Sequence, residues 1–406
     1  MQVRELAQTA REASRVLAVV SGEVRKQALE TIAQALEANE LKILAANARD
    51  MEAGKELVEK GELEMPLLKR LDLSGRKFSA TVEMVRSVQA QPDPLGQTQS
   101  ALELDDQLNL YRVTVPIGVI GVIFESRPDA LVQIASLCLM SGNAALLKGG
   151  REATASNQIL AEVMCEAVAN IAEIPAGWMA LLEGREEVRA LLDQEGEVDL
   201  IIPRGGNEFV QYIMHNTKIP VMGHADGICH VYVDQAADID KAVKITVDSK
   251  TQYVAVCNAA ETLLVHEKAA EAFLQRAVPE LADKGVQLRG DERAREAVQA
   301  SGQVKPATEE DWRAEYLDLI LAIKVVDSVE QAIEHINTYG SHHTDAIVTD
   351  DRATAGIFLR GVDASSVVHN ASTRFSDGFK YGLGAEVGVS TNRLHSRGPV
   401  GLDGLV

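Results

Sequence analysis

The chain is poor in the residues that mark specialised protein classes. Aromatics make up only 4% of its 406 residues, which argues against an RNA reader built on stacked rings. Cysteine occurs four times, at Cys138, Cys165, Cys229 and Cys257. Four in a chain this long is no disulfide framework, and no pair has zinc-finger spacing, so they read as reduced thiols in a cytoplasm. Positive charge is scarce: 40 Lys and Arg stand against 60 Asp and Glu, a net charge of −20. A surface that negative repels nucleic acid and anionic membranes. Any anionic substrate therefore needs a local cluster of Arg or Lys in its pocket. The longest uncharged stretch, Ala130 to Leu147, is broken by Ser141, Gly142 and Asn143, where a membrane helix would need continuity. The first fifteen residues mix Arg4, Glu5, Arg11 and Glu12 among apolar ones, without the apolar segment or cleavage site of a signal peptide.

What is present is ordinary globular material, 46% hydrophobic and 25% charged. At ~150 residues per domain the length predicts two or three domains. The first ~90 residues read as helices. Val3, Leu6, Ala7, Ala10, Leu17 and Val20 share one stripe, Ser21-Gly22 breaks it, and Val24, Ala28, Leu29, Ile32 and Leu36 begin another. Asn39 is the expected N-cap of a third helix. Residues 102–115 alternate around Asp105-Asp106, which predicts a hairpin. From Val119 onward short apolar strands (119–124, 144–147, 178–182, 198–202, 219–222) alternate with helices, the pattern of a parallel, doubly wound sheet. A second α/β set follows, with strands expected at 230–233, 262–265, 319–326, 346–348 and 367–369. Ligands of such sheets bind beyond the strand C-termini. After Asn370 the chain turns rich in Gly, Ser and Arg, a long loop of the kind that is usually functional.

Among the cysteines, Cys138, Cys165 and Cys229 lie in apolar elements and read as small buried hydrophobes. Cys257 lies in Tyr253-Val-Ala-Val-Cys-Asn-Ala-Ala260, at a junction just before an apolar strand, where a side chain can project into a cleft. A free thiol is already a strong nucleophile at neutral pH, so the residue permits acyl-thioester chemistry without demanding it. No Gly-x-Gly-x-x-Gly follows the first strand. Two other strand ends suit a dinucleotide: Leu147-Lys148-Gly149-Gly150-Arg151, and Pro203-Arg204-Gly205-Gly206-Asn207, which opens a helix whose N–H groups favour a phosphate. Lys and Arg beside a ribose would suit a 2′-phosphate, hence NADP over NAD. His224-Ala-Asp226-Gly-Ile-Cys229-His230 offers metal-ligand types, but its spacing matches no zinc module and Cys229 and His230 would point to opposite strand faces. No metal is expected.

Taken together, the chain resembles the gamma-glutamyl phosphate reductases (glutamate-5-semialdehyde dehydrogenases), a branch of the aldehyde dehydrogenase superfamily. The resemblance is nearly full length. It is carried by Gly121-Val-Ile-Phe-Glu-Ser-Arg-Pro128, Ser141-Gly-Asn-Ala-Ala-Leu-Leu-Lys-Gly-Gly150, Ile201-Ile-Pro-Arg-Gly-Gly206 and Asp226-Gly-Ile-Cys-His-Val-Tyr-Val233. Further stretches are Cys257-Asn-Ala-Ala-Glu-Thr-Leu-Leu-Val-His266, Ala332 to Asn337, Ser341 to Ile347, Gly384 to Asn392 and Arg397 to Leu402. The resemblance implies two Rossmann-like, doubly wound α/β domains with a small β oligomerisation arm. The cofactor-binding domain would take 1–100, 116–233 and 381–395, the catalytic domain 234–380, and the arm 101–115 and 396–406.

By position, the resemblance implies that Cys257 is the thiol nucleophile. Ser126 stands where the superfamily places an oxyanion-stabilising Asn, with the Cys257 backbone N–H as the other candidate donor. Lys148 with Gly149 would hold the adenosine ribose, Arg204, Gly205 and Gly206 the pyrophosphate, and Glu315 the nicotinamide ribose. The superfamily's hydrolytic Glu has no counterpart in Ile219-Pro-Val-Met-Gly-His224, which suits an enzyme that must keep water from a thioester. Arg127 and Arg374 are the candidate anion clamps, with Asn258 and Ser372 as further substrate contacts. The implied reaction is NADPH-dependent reduction of L-glutamyl 5-phosphate to L-glutamate 5-semialdehyde and phosphate through a Cys257 thioester, the second step of proline biosynthesis from glutamate. A homo-oligomer, dimer or tetramer, is expected, and a transient contact with glutamate 5-kinase is to be tested. Three alternatives stay open on the residues: the same chemistry on another acyl group, a cofactor-free cysteine acyltransferase or hydrolase, and a binding protein in which Cys257 is buried.

Overall fold

The computed structural model describes residues 3–63, 65–223, 226–299, 302–393 and 395–406. It divides into two compact units, the first of residues 1–223, 382–388 and 394–406, the second of 224–381 and 389–393.

The first unit begins with five helices, α1 (Val3–Leu17), α2 (Gly22–Ala38), α3 (Glu40–Glu59), α4 (Met65–Leu71) and α5 (Arg76–Gln89). Ser21 caps α2, its hydroxyl accepting from the Val24 N–H at 3.3 Å. Asn39 does stand at the start of α3, but its side chain works backwards: Nδ2 donates to the Ala35 carbonyl at 2.9 Å and closes α2. Next come the antiparallel strands β1 (Thr98–Asp105) and β2 (Leu108–Val113), joined at Asp106-Gln107 with Gln107 at φ 62°. The strands β3 (Val119–Phe124), β4 (Ala144–Lys148), β5 (Met179–Leu182) and β6 (Leu200–Arg204) form a parallel sheet in the order β5-β4-β3-β6. Its helices are α6 (Pro128–Met140), α7 (Thr154–Val168), α8 (Arg185–Leu192) and α9 (Asn207–His215). Every residue of β3 and β4 is buried, which explains their unbroken apolar runs. The expected strand at 219–222 is reduced to one bridge, Val221 to Ile201, because Pro220 has no N–H to give a ladder. The segment 396–406, grouped on the sequence with the hairpin, is anchored in this unit: Leu402 and Leu405 join its core, and Asn143 Nδ2 donates to the Leu405 carbonyl at 2.9 Å.

The second unit is built on a seven-stranded, all-parallel sheet in the order β10-β9-β11-β8-β7-β12-β13. Its strands are β7 (Cys229–Val233), β8 (Ala260–His266), β9 (Gln287–Gly290), β10 (Val304–Pro306), β11 (Ile320–Val326), β12 (Thr344–Val348) and β13 (Ser366–His369). β7, which the expected boundary at 233 leaves with the first domain, pairs with β8 and β12 and so sits inside this sheet. β9 and β10 escaped the sequence reading because they are short and partly exposed. The helices are α10 (Ile239–Thr251), α11 (Glu267–Asp283), α12 (Glu292–Ala297), α13 (Val329–Tyr339) and α14 (Arg352–Gly361). Alternate strand residues build two cores. Val231, Val233, Leu263, Val265, Ala346 and Val348 face α10 and α11, while Tyr232, Leu264 and Ile347 face α13 and α14. No helix among the described residues is long and apolar enough to cross a membrane.

Beneath α13 the His335 ring is buried among Trp312, Tyr339 and His230, and Lys324 Nζ donates to its Nδ1 at 3.4 Å. Burial, then the His230 and Lys324 charges, hold the ring neutral and push its pKa down to about 2. An unfolded histidine titrates near ~6.5. The unfolded chain therefore binds a proton that the native state refuses, so this contribution is complete above pH ~6.5 and lost at about 1.4 kcal/mol per unit below it. Between pH 7 and pH 5 the protein is expected to lose about 2 kcal/mol from this group, and His335→Phe to lose correspondingly less. Denaturant midpoints at the two pH values check this; equal slopes in both proteins would exclude His335 as the source.

Candidate active site

Because all seven strands of the second unit run parallel, their N-terminal ends share one edge. Cys257 lies there, in the segment between the end of α10 and the start of β8. This departs from the expectation of a site beyond strand C-termini. The edge also receives the C-terminal turn of α10, whose carbonyls carry partial negative charge, so an anion at this place needs cations from side chains.

Cys257 is half-buried and its thiol is free. Its main chain is gripped from behind by Gly227. A Cβ at Gly227 would lie 2.4 Å from Cys257 Cα and 2.1 Å from its carbonyl oxygen, an approach only glycine allows. The Gly227 N–H donates to Glu315 Oε1 at 2.9 Å, and the Ile228 N–H to Ser341 Oγ at 2.8 Å. Cys229 is buried, as expected, and its Sγ donates to the Cys257 carbonyl at 3.1 Å; burial pushes the Cys229 thiol well up. Asn258 is buried and its Nδ2 donates to the Ser376 carbonyl at 2.9 Å.

The loop after Asn370 brings Arg374 to the same place. Ser372 caps its short 3₁₀ turn: the hydroxyl accepts from Ser249 Oγ at 3.0 Å and from the Arg374 N–H at 3.2 Å. Arg374 Nε donates to Gln252 Oε1 at 3.2 Å. Burial pulls the guanidinium below its ordinary value, and the Cys257, Asp377 and Asp248 charges pull the other way. The bond from Asn258, the neighbour of Cys257, to the Ser376 carbonyl ties the Arg374 segment to the cysteine's own. Of the residues singled out on the sequence, the second unit thus gathers Cys257, Asn258, Glu315, Ser372 and Arg374. Gly227, Gln252, Ser341 and the role of Cys229 were missed, since Asp226-Gly227 before a strand reads as an ordinary turn.

In the first unit Lys148 ends β4 and Arg204 ends β6, on either side of β3, with Ile123 paired to Lys148 and Phe124 to Arg204. The two cationic ends share one sheet edge. Lys148 is buried and its Nζ donates to the Gly149 carbonyl; burial lowers its pKa, against Glu152 and Glu187. Gly205 and Gly206 are exposed at the start of α9, beside an open groove of about 560 Å³ lined by Glu125, Gly206, Asn207, Glu208 and Phe209. Among the described residues nothing lies within 4 Å of a Cβ at Gly206. An open glycine before helical N–H groups, with a lysine at the next strand end, fits a dinucleotide's phosphates and ribose. The Glu125 carboxyl now accepts from the Gly206 N–H; desolvation and the Glu152 charge raise its pKa. Ser126 is buried at φ 42°, and both its N–H and its hydroxyl donate to Glu152 Oε1, at 2.7 and 2.6 Å. Arg127 is exposed and paired with Asp129 at 2.8 Å. His224 lies outside the described residues, and among those described no group of three His, Cys, Asp or Glu is arranged to hold a metal.

Comparison with known proteins gives a consistent result. A family model described as the aldehyde dehydrogenase family matches residues 1–311. A gamma-glutamyl phosphate reductase from Ruminiclostridium cellulolyticum is 56% identical over 406 residues, covering 100% of this chain and 92% of that protein. One from Natronomonas pharaonis is 55% identical over 396 residues, covering 98% and 89%. The crystal structure of the gamma-glutamyl phosphate reductase from Thermotoga maritima matches with a TM-score of 0.94 at 41% identity, covering 100% of this chain and 96% of that one.

The Arg374 field at Cys257 is directly measurable. Alkylation by iodoacetate, an anion, gains from a nearby guanidinium, whereas neutral iodoacetamide does not. In Arg374→Met the ratio of the two rates is expected to fall about fivefold, the ~1 kcal/mol of a half-screened charge pair. An unchanged ratio would place Arg374 too far away to matter.

Proposed function

The chain belongs to the aldehyde dehydrogenase family and, within it, to the gamma-glutamyl phosphate reductases, and on that premise we infer that it reduces L-glutamyl 5-phosphate to L-glutamate 5-semialdehyde and phosphate. This is the second step of proline biosynthesis from glutamate. The observation that carries the reading is the setting of Cys257, a free, half-buried thiol whose main chain is pressed against Gly227 and whose neighbour Asn258 is bonded to the segment that carries Arg374.

The Cys257 thiolate attacks the acyl carbon of the substrate. A carbon–sulfur bond forms as the carbon–oxygen bond to phosphate breaks, and phosphate departs with that electron pair. Arg374 stabilises the negative charge that arrives with the substrate, its Nε tied to Gln252 so that the planar fork is oriented. Ser372 holds the Arg374 turn, and Asn258 fixes the residue after the nucleophile to Ser376. Arg127 is assigned as a second anion contact. The donors of Ser126 are engaged by Glu152, which favours the Cys257 N–H for the developing oxyanion.

Lys148 with Gly149 would hold the adenosine ribose, Arg204, Gly205 and Gly206 the pyrophosphate, and Glu315 the nicotinamide ribose. When bound, the reduced nicotinamide supplies the hydride that converts the thioester to the aldehyde. We take the cofactor to be NADPH, since Lys148 and the nearby Arg151 suit a 2′-phosphate. Glu125 must give up the Gly206 N–H when a phosphate takes it. We place the enzyme in the cytoplasm, where its four free thiols stay reduced. The lability of an acyl phosphate makes glutamate 5-kinase, which forms it, the macromolecular partner to test.

In Cys257→Ala, phosphate-dependent reduction of NADP⁺ by the semialdehyde is expected to vanish while NADPH still quenches protein fluorescence with unchanged affinity. Turnover retained in that variant would remove Cys257 from the reaction. No NADPH binding in either protein would instead favour a cofactor-free hydrolase.

The hairpin of β1 and β2 is exposed along its whole length and carries Leu102, Leu104, Leu108, Leu110, Tyr111 and Val113 on its surface. An isolated two-stranded ribbon is marginal in water, and we assign it as the arm that pairs with a second copy of the chain. Leu102→Lys with Leu110→Lys is expected to shift the mass measured by light scattering to that of a monomer. A parent protein that is already monomeric would overturn the assignment.

A further inference from the structure

Behind Cys257 lies a charge pair that the reaction itself does not use. Lys250, in the last turn of α10, and Glu261, the second residue of β8, are both fully buried, with Nζ donating to Oε2 at 2.6 Å. Burial of such a pair is expensive: apolar residues of similar size often serve stability as well or better. The same burial pushes the Glu261 carboxyl up to about 7 and the Lys250 ammonium down. Stability alone gives little reason for the pair to be here.

Its second oxygen suggests a reason. Glu261 Oε1 accepts from the Leu317 N–H at 3.3 Å, and Leu317 sits in the left-handed region at φ 51°, where a leucine needs external restraint. Two residues earlier, Glu315 Oε1 receives the Gly227 N–H at 2.9 Å. Gly227 in turn is pressed on Cys257 Cα and its carbonyl. Between them, Tyr316 donates to Asp311 Oδ1 at 2.7 Å and faces Lys250 Nζ, 6.0 Å from the ring.

We propose that the buried Lys250–Glu261 pair is a positioning device for the nucleophile: by holding Leu317 it fixes the loop that carries Glu315, which keeps Gly227 seated against the Cys257 main chain. Lys250 orients the carboxylate so that one oxygen faces Leu317. Neither residue touches the reacting atoms, and the proposal rests on the reading of Cys257 as the nucleophile.

The test compares the parent with two double variants that leave no buried charge unpaired. Lys250→Met with Glu261→Leu removes the acceptor for Leu317, whereas Lys250→Met with Glu261→Gln keeps one. In the leucine variant kcat is expected to fall at least tenfold with the KM for glutamyl phosphate within threefold of the parent. Deuterium exchange in peptides covering Leu317 and Gly227 is expected to accelerate together, by tenfold or more. The glutamine variant is expected to restore both readings to within threefold. Parent-like kcat and exchange in the leucine variant, or a glutamine variant as impaired as the leucine one, would overturn the proposal. Should the leucine variant not fold, exchange in the parent decides: one common opening rate for the two peptides is expected, and independent rates would refute the tether. A parent without NADPH-dependent turnover would sink the functional reading, while the exchange data still judge the tether.

Discussion

An anion at the N-terminal edge of an all-parallel sheet, such as the thiolate proposed for Cys257 during attack, works against the backbone. That edge collects the C-terminal turns of preceding helices and so carries partial negative charge, in a chain whose net charge is already −20. The second unit answers with side chains. Arg374 is brought in by the loop after β13 and aimed by Gln252, whereas Lys250, buried in the α10 turn itself, is already paired with Glu261. The first unit shows the opposite arrangement. Its site edge holds strand C-termini and the N-terminus of α9, where N–H groups favour anions, and there the compensating side chains are the carboxylates Glu125 and Glu152. In each unit charges of both signs meet at the edge: Lys148 and Arg204 beside Glu125 and Glu152 in the first, Arg374 and Lys250 beside Glu261 in the second.

Among the described residues, the contacts that hold the Cys257 segment fall on its main chain. Gly227 against Cys257, the Cys229 thiol on the Cys257 carbonyl and the Asn258 amide on Ser376 all fix backbone. The Cys257 thiol itself is in no disulfide. That division would suit the proposed nucleophile, which has to attack, carry an acyl group and release it from one origin.

Much of the frame was legible in the sequence because it is written locally. The buried runs of β3 and β4, the apolar strands β7, β8 and β12, and the hairpin, whose turn falls at Asp106-Gln107, one residue beyond the expected Asp105-Asp106, follow from neighbours a few residues apart. What escaped was either too short to show a period, as in β9 and β10, or cancelled by one residue, as Pro220 cancels a strand. The site divided the same way. Cys257 at a junction, Lys148 at a strand end and the Gly205-Gly206 helix start are local signals. The grip of Gly227, the reach of Arg374 and the Glu261–Leu317 bond depend on which strands become neighbours in the sheet, and no spacing along the chain encodes that. The full-length resemblance supplied residue roles where spacing could not, but gave no account of what holds those residues in place.

The chemistry also explains a segment that would otherwise look unremarked. Phosphate is a good leaving group from an acyl carbon, so in the proposed cycle the greater risk lies afterwards, when water competes with hydride for the thioester. The resemblance to the superfamily implies a carboxylate that activates that water in its aldehyde-oxidising members. Here the corresponding stretch offers Ile219 and Met222, both buried, around Pro220 and a bridged Val221. Apolar packing from Ile219 to Met222 brings no carboxylate there, which is in keeping with an enzyme that, on the proposed reaction, would have to keep water from its thioester.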